Sequence, residues 1–215
     1  MKVFGGRKSD VTVTEMLVDE KFYIPRIPVS VIAVGETSEA LLVRAALESL
    51  GATVLLHLVG VPEDFLSIIE QGEAAPRYIV ICGHGDEGGI IFGEFGADIN
   101  TSTLEQGSMP PTVIAGRMNL PGRTVVSTAC GTGSKAFGDN LLKGGIAAYI
   151  APDCYPDGAA AGMFIHLLFD QLLRKGRSPA SALRHIQKYD EEYAVFSLFT
   201  ASDEREPGRT RHAGS

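Results

Sequence analysis

Short runs of apolar residues with almost no polar alternation constrain this chain most. They are residues 29–34 (VSVIAV), Tyr78–Cys82 (YIVIC) and residues 124–129 (TVVSTA). A strand with one wet face alternates apolar and polar side chains, so these runs predict parallel strands covered on both faces. Further strands are expected at 53–58, 145–150 and 194–200 (AVFSLFT). Helical spacing falls between them. Leu41, Leu42, Ala45, Ala46 and Leu50 share a face, with Thr37 or Ser38 as cap, Glu39 in the first turn and Gly51 as the stop. Pro62 opens a short helix carrying Phe65, Leu66, Ile68 and Ile69. Residues 135–143 predict another helix. Asp157 caps a long one that Gly176 closes, and Ser178-Pro179 starts a last one. Strands alternating with helices give a mostly parallel sheet with helices on both faces, a three-layer α/β/α arrangement.

Between the third and fourth core strands the pattern is less regular. Residues 90–92 and 94–99 flank a glycine and predict a small hairpin, while 100–123 read as loop. Residues 1–28 form a polar extension in which 11–13 and 21–24 read as short strands. Residues 29–200 make up the domain. The polar tail 201–215 (ASDEREPGRTRHAGS) is expected to be disordered.

Composition narrows the function classes. The net charge is −7 and the Lys and Arg residues are scattered, so no basic groove exists for nucleic acid. A negative field favours instead a basic ligand or a peptide carrying Arg or Lys. The first residues, MKVFGGRKSD, precede no apolar run and do not read as a secretory signal. No stretch of about 18 apolar residues predicts a membrane span. Cys82, Cys130 and Cys154 are odd in number and match no zinc spacing, which argues for free thiols in a reducing cytoplasm.

Ligand sites in open parallel sheets lie beyond the carboxyl ends of the strands. Two such ends carry reactive residues: Cys82-Gly83-His84-Gly85-Asp86 and Thr128-Ala129-Cys130-Gly131-Thr132-Gly133-Ser134. If the two strands are neighbours, His84 and Cys130 face one crevice. A thiolate is a nucleophile, and an imidazole can take its proton and return it to a leaving amine. The helix after Cys130 is expected to lower the thiol pKa through its N-terminal amides. The amides of Gly85 and Cys130 are candidates for an oxyanion hole.

These two blocks, ICGHGDEGG and VVSTACGTGS, resemble the His and Cys blocks of clan CD cysteine peptidases. The likeness is nearest to the CHAT branch, related to caspases and separase. Ser127, Ala129, Cys130, Thr132 and Gly133 reproduce its Ser-Ala-Cys-x-Thr-Gly pattern with Thr128 inserted. His84 precedes Cys130 by 46 positions, near the caspase separation of about 50. The resemblance implies a caspase-like six-stranded sheet, endopeptidase activity on a protein or peptide substrate, and no cofactor. It also points to Asp153 and Asp157 as substrate-binding acids for Arg or Lys before the scissile bond. Asp153 stands where the branch has Trp. Cleavage within 100–123, at Arg117 or Arg123, would be a route to self-activation. The oligomeric state is not legible.

Blander readings compete. Cys130 can be a packed core cysteine, and Cys82 reads as one. His57, His166 and His185 lie in or beside apolar elements and read as packing residues. Asp157 suits a helix cap, Asp153 a solvated loop, and Asp86 is placed to orient His84. A catalytically inactive caspase-like binding or scaffold module is the main rival function. A phosphate cradle at Gly131-Thr132-Gly133-Ser134 is a weaker one, because it lacks the lysine of a P-loop.

Overall fold

The computed structural model describes residues 26–35 and 37–201. The expected N-terminal strands at 11–13 and 21–24 and the tail from 202 on lie outside the described residues. Nine strands and six α-helices follow in chain order among the described residues. They are β1 (Ile27–Val34), α1 (Ser38–Ser49), β2 (Ala52–Val59), α2 (Pro62–Ile69), β3 (Tyr78–Cys82), β4 (His84–Asp86), β5 (Gly89–Ile91), β6 (Ser108–Met109), α3 (Pro111–Arg117), β7 (Thr124–Ser127), α4 (Lys135–Leu142), β8 (Ala148–Pro152), α5 (Gly158–Phe169), α6 (Pro179–Ile186) and β9 (Phe196–Thr200).

The main sheet has six strands in the order β2-β1-β3-β7-β8-β9. All its pairs are parallel except β8 with β9. The expected mostly parallel sheet is therefore the architecture found, and the apolar runs owe their continuity to it. In β1, Val29, Val31 and Ala33 face one core layer and Ile32 and Val34 face the other. In β3, Tyr78, Val80 and Cys82 join the first layer, and Ile79 and Ile81 the second. Helices α1, α5 and α6 cover the first face through Val43, Leu47, Phe164, Leu168 and Ile186. Helices α2, α3 and α4 cover the second through Phe65, Ile69, Ile114, Phe137 and Leu141. Period-2 alternation thus runs between two cores rather than between core and water.

Four expectations are corrected. The hairpin is formed by β4 and β5, extended by β6, with Glu94 to Ile99 outside any strand. Residues 100–123 are not all loop, because Pro110 and Pro111 start α3: proline suits the first helical positions, where its missing N–H has no partner to lose. The long helix from Asp157 changes to π geometry over Asp170–Arg174 after α5. Thr37 precedes α1 but its side chain makes no capping hydrogen bond.

The self-activation points are also held. Arg117 ends α3 with its guanidinium against Glu63 and Glu70 of the α2 region. Arg123 donates to the carbonyls of Ala75, Pro121 and Glu73. A peptide bond must be extended and free to enter a cleavage site, and neither position is.

Candidate active site

Strands β3 and β7 are hydrogen-bonded neighbours in parallel register, with Ile81 opposite Ser127. The chain therefore leaves both strands at one rim of the sheet. His84 and Cys130 each stand three residues beyond that last matched pair. Thr128 has a structural reason: its N–H and hydroxyl both donate to the Ile81 carbonyl, at 2.9 and 3.3 Å. The residue inserted in the motif adds one more rung to the ladder before the chain turns.

Beyond the strands the two segments pack face to face. Gly85 is buried in β4, and a Cβ built on it would lie 2.9 Å from the Cys130 carbonyl oxygen, 2.9 Å from the Ala129 Cβ and 3.0 Å from the Thr132 Cγ2. In return, Gly131 backs onto Asp86 and Glu87. A Cβ there would stand 3.0 Å from the Asp86 carbonyl carbon, and its φ of +71° is one that side chains disfavour. His84, opposite Ile91 in the hairpin, is exposed. Oδ1 of Asp86, two residues on, accepts the N–H groups of Gly88 and Gly89 at 2.8 and 3.0 Å and shapes the β4–β5 turn.

Buried hydroxyls fix the turn that carries Cys130. Oγ of Ser127 accepts the Ala129 N–H at 3.1 Å. The Thr132 hydroxyl lies 2.7 Å from the Ala129 carbonyl and 3.2 Å from the Ser127 hydroxyl. Farther along, the Gly131 N–H donates to the Cys154 carbonyl at 3.2 Å and the Gly133 N–H to the Pro152 carbonyl at 2.7 Å. The turn is thereby tied to the end of β8.

Cys130 is a half-buried free thiol. Burial pushes it above the ordinary value of 9.0, its own backbone N–H pulls the other way, and the negative charges of Glu39 and Cys154 push it further up. This corrects the expectation of a thiol acidified by a following helix. Helix α4 begins at Lys135, capped by Ser134, and residues 130–133 are turn. A helix dipole fades within its first turn, so it leaves the sulfur to the effect of burial.

Glu39 is the residue that sequence reasoning undervalued. It was read only as an acid suited to a helix start. Yet α1 follows directly on β1, the neighbour of β3, so its first turn lies at the same rim. Its charge acts on both Cys130 and Cys82. The available signal was position: the first turn after a core strand of a parallel sheet faces the ligand edge.

Asp153 is exposed and sits one step aside. It lines a cleft of about 800 Å³ with Gly133, Ser134, Lys143 and Phe199, and the Ser197 hydroxyl reaches it at 3.4 Å. Neither His84 nor Cys130 lines that cleft. Asp157 is exposed immediately before α5, and its carbonyl accepts the Ala160 N–H at 2.9 Å. Cys82 is a core residue whose thiol burial pushes well up. His57 pairs with Ser30 at 3.3 Å and His185 with Tyr189 at 3.4 Å. His166, in the last turn of α5, lines a small pocket with Leu42 and Met163. Among the described residues no three His, Cys, Asp or Glu side chains gather as a metal site, and no helix is long and apolar enough to cross a membrane.

Solved structures share this fold. The Arg-specific cysteine proteinase gingipain R is similar with a TM-score of 0.53 and 15% identity, over 80% of this chain and 46% of that one. A secreted C11 cysteine protease of Bacteroides thetaiotaomicron, iotapain, is similar with a TM-score of 0.52 and 12% identity, over 84% and 68%. The Saccharomyces cerevisiae separase–securin complex gives 0.50 and 11%, over 84% of this chain and 12% of that one. The chain spans about half the length of the gingipain chain it matches. No family model matches the chain, and no curated protein matches it by sequence. The fold is caspase-like, the fold these cysteine peptidases share.

Proposed function

We propose that the chain is a cysteine endopeptidase working through Cys130 and His84. The observation that carries this reading is the packing of Gly85 on the Cys130 backbone, which sets a histidine-bearing and a cysteine-bearing segment side by side at one rim. In this reading the Cys130 thiol gives its proton to His84 as its sulfur attacks the scissile carbonyl. The resulting oxyanion is held by the amides of Gly85 and Cys130. The imidazolium passes the proton to the leaving amine as the peptide C–N bond breaks. His84 then takes a proton from water, whose hydroxide cleaves the thioester and releases the acid. No cofactor enters. The Ser127, Ala129, Cys130, Thr132 and Gly133 pattern supports a CHAT-type assignment, and three free thiols suit a reducing cytoplasm.

Cleavage after Arg or Lys is the preferred specificity. Glu39 supplies negative charge at the thiol. Asp153 and Asp157 add acidic groups on the segment joined to the Cys130 turn. A basic side chain there would gain charge-assisted pairing that a neutral one cannot. The test is hydrolysis of a peptide panel with Arg, Lys, Asp or Leu before the scissile bond. Turnover of the basic members, lost in Cys130→Ala and His84→Ala, is expected; turnover that survives either substitution contradicts the mechanism.

One observation favours an inactive binding module instead. A thiol pushed upward by burial is mostly protonated at neutral pH and a poor nucleophile unless a base takes its proton. On that reading peptides bind without turnover, and His84→Ala leaves binding unchanged.

A further inference from the structure

The segment carrying Cys130 lies alongside the one carrying Cys154. The Gly131 N–H donates to the Cys154 carbonyl at 3.2 Å, and two residues on, the Gly133 N–H donates to the Pro152 carbonyl at 2.7 Å. Covalent bond lengths then hold the Cα atoms of Cys130 and Cys154 within about 8 Å, close to the range that a disulfide spans. Both thiols are free; Cys154 is exposed and Cys130 partly so. The Cys154 charge is felt at the Cys130 thiol, as expected of neighbouring sulfurs. Cys154 lies outside any helix or strand, between β8 and α5, where small backbone movements are inexpensive. The third cysteine, Cys82, is buried in the core and offers no competing partner.

We propose that Cys130 and Cys154 are a redox-responsive pair that closes into a disulfide on meeting a low-molecular-weight disulfide, blocking Cys130. The exposed Cys154 thiolate attacks one sulfur of the small disulfide, forming a mixed disulfide and releasing one small thiol. The Cys130 thiolate then attacks Cys154 Sγ, forming the internal S–S bond and releasing the second small thiol. Two protein thiols are oxidised by two electrons, one small disulfide is reduced to two thiols, and the cysteine protons end on those thiols. Order follows exposure: the open thiol reacts first, and the half-buried one resolves it. Pairing itself does not depend on Cys130 being a catalytic nucleophile; its value as a switch rests on that reading.

The test incubates the full chain with oxidised glutathione and maps its peptides without reduction. A Cys130–Cys154 linked peptide is expected, in a monomer lighter by two hydrogens, with Cys82 still free. Dithiothreitol should reverse it. In Cys154→Ser the link is lost, and labelling of Cys130 by iodoacetamide, abolished by oxidation in the parent, is retained. Stable glutathione adducts on both cysteines with no link, or a link only between chains, would overturn the pairing. These outcomes are read by mass. A chain that links yet hydrolyses no peptide therefore refutes the peptidase reading and leaves the pair intact.

Discussion

Gly85 rests on the main chain of Cys130: the position of a methyl group at residue 85 lies 2.9 Å from the Cys130 carbonyl oxygen. The two nearest neighbours there are a backbone oxygen and a Cβ atom, which do not yield as the far end of a flexible side chain would. Gly85→Ala should push the two segments apart, with an overpacking cost of about 1–3 kcal/mol. We expect a lower denaturation midpoint and a fall in peptide turnover larger than the stability loss explains. Full turnover by a folded Gly85→Ala variant would show that this contact does not set the site.

The hydroxyls below Cys130 give a second expectation. Ser127 is fully buried and its Oγ takes the Ala129 N–H. Ser127→Ala leaves that amide without its partner, at a cost of about 1–3 kcal/mol. The Cys130 turn loosens with it, so thiol alkylation should lose its single-phase kinetics. Thr132→Val should act in the same direction, and Thr132→Ser should largely restore the parent behaviour.

The pH dependence has a definite sign. Burial raises both the Cys82 and the Cys130 thiols in the folded state above the ordinary 9.0. The folded protein then holds protons that the unfolded chain releases. Stability is full below the unfolded thiol value and declines as pH climbs toward the folded ones. Urea midpoints should therefore drop above about pH 9, and Cys82→Ala should flatten that drop. Alkylation of Cys130 by iodoacetamide should likewise rise toward alkaline pH, and Glu39→Gln should shift its midpoint down, because one neighbouring negative charge is gone. An unchanged midpoint would remove Glu39 from the site.

Arg117 and Arg123 give a negative prediction. Their guanidinium groups are engaged by Glu63 and Glu70 and by three carbonyls respectively. Long incubation under native conditions should leave the chain intact at both positions by mass spectrometry. Fragments ending at either residue would mean that this region opens far more readily than its contacts indicate.

Much of this was legible beforehand because parallel strands advertise themselves. Runs such as YIVIC need two covered faces, and the rim positions of His84 and Cys130 follow from strand direction alone. What stayed hidden depended on tertiary neighbours. Helix α3 was masked by Pro110 and Pro111, which read equally as loop. The Cys130 thiol was expected to be acidified because the start of α4 was placed too near it; the turn over residues 130–133 leaves burial in control. Asp153 stands where the motif has Trp, and it lines a cleft beside α4 and β9. One of the charges acting on the thiol comes from Glu39, far off in sequence and brought near by the β1–β3 pairing.

The most direct measurement treats the full chain with a peptidyl acyloxymethyl ketone bearing Arg and locates the adduct by mass spectrometry. A single adduct on Cys130, absent in His84→Ala although that variant folds, is the predicted result. Modification of exposed Cys154 alone, or labelling of Cys130 at the same rate without His84, would contradict an imidazole and a thiol acting as one unit.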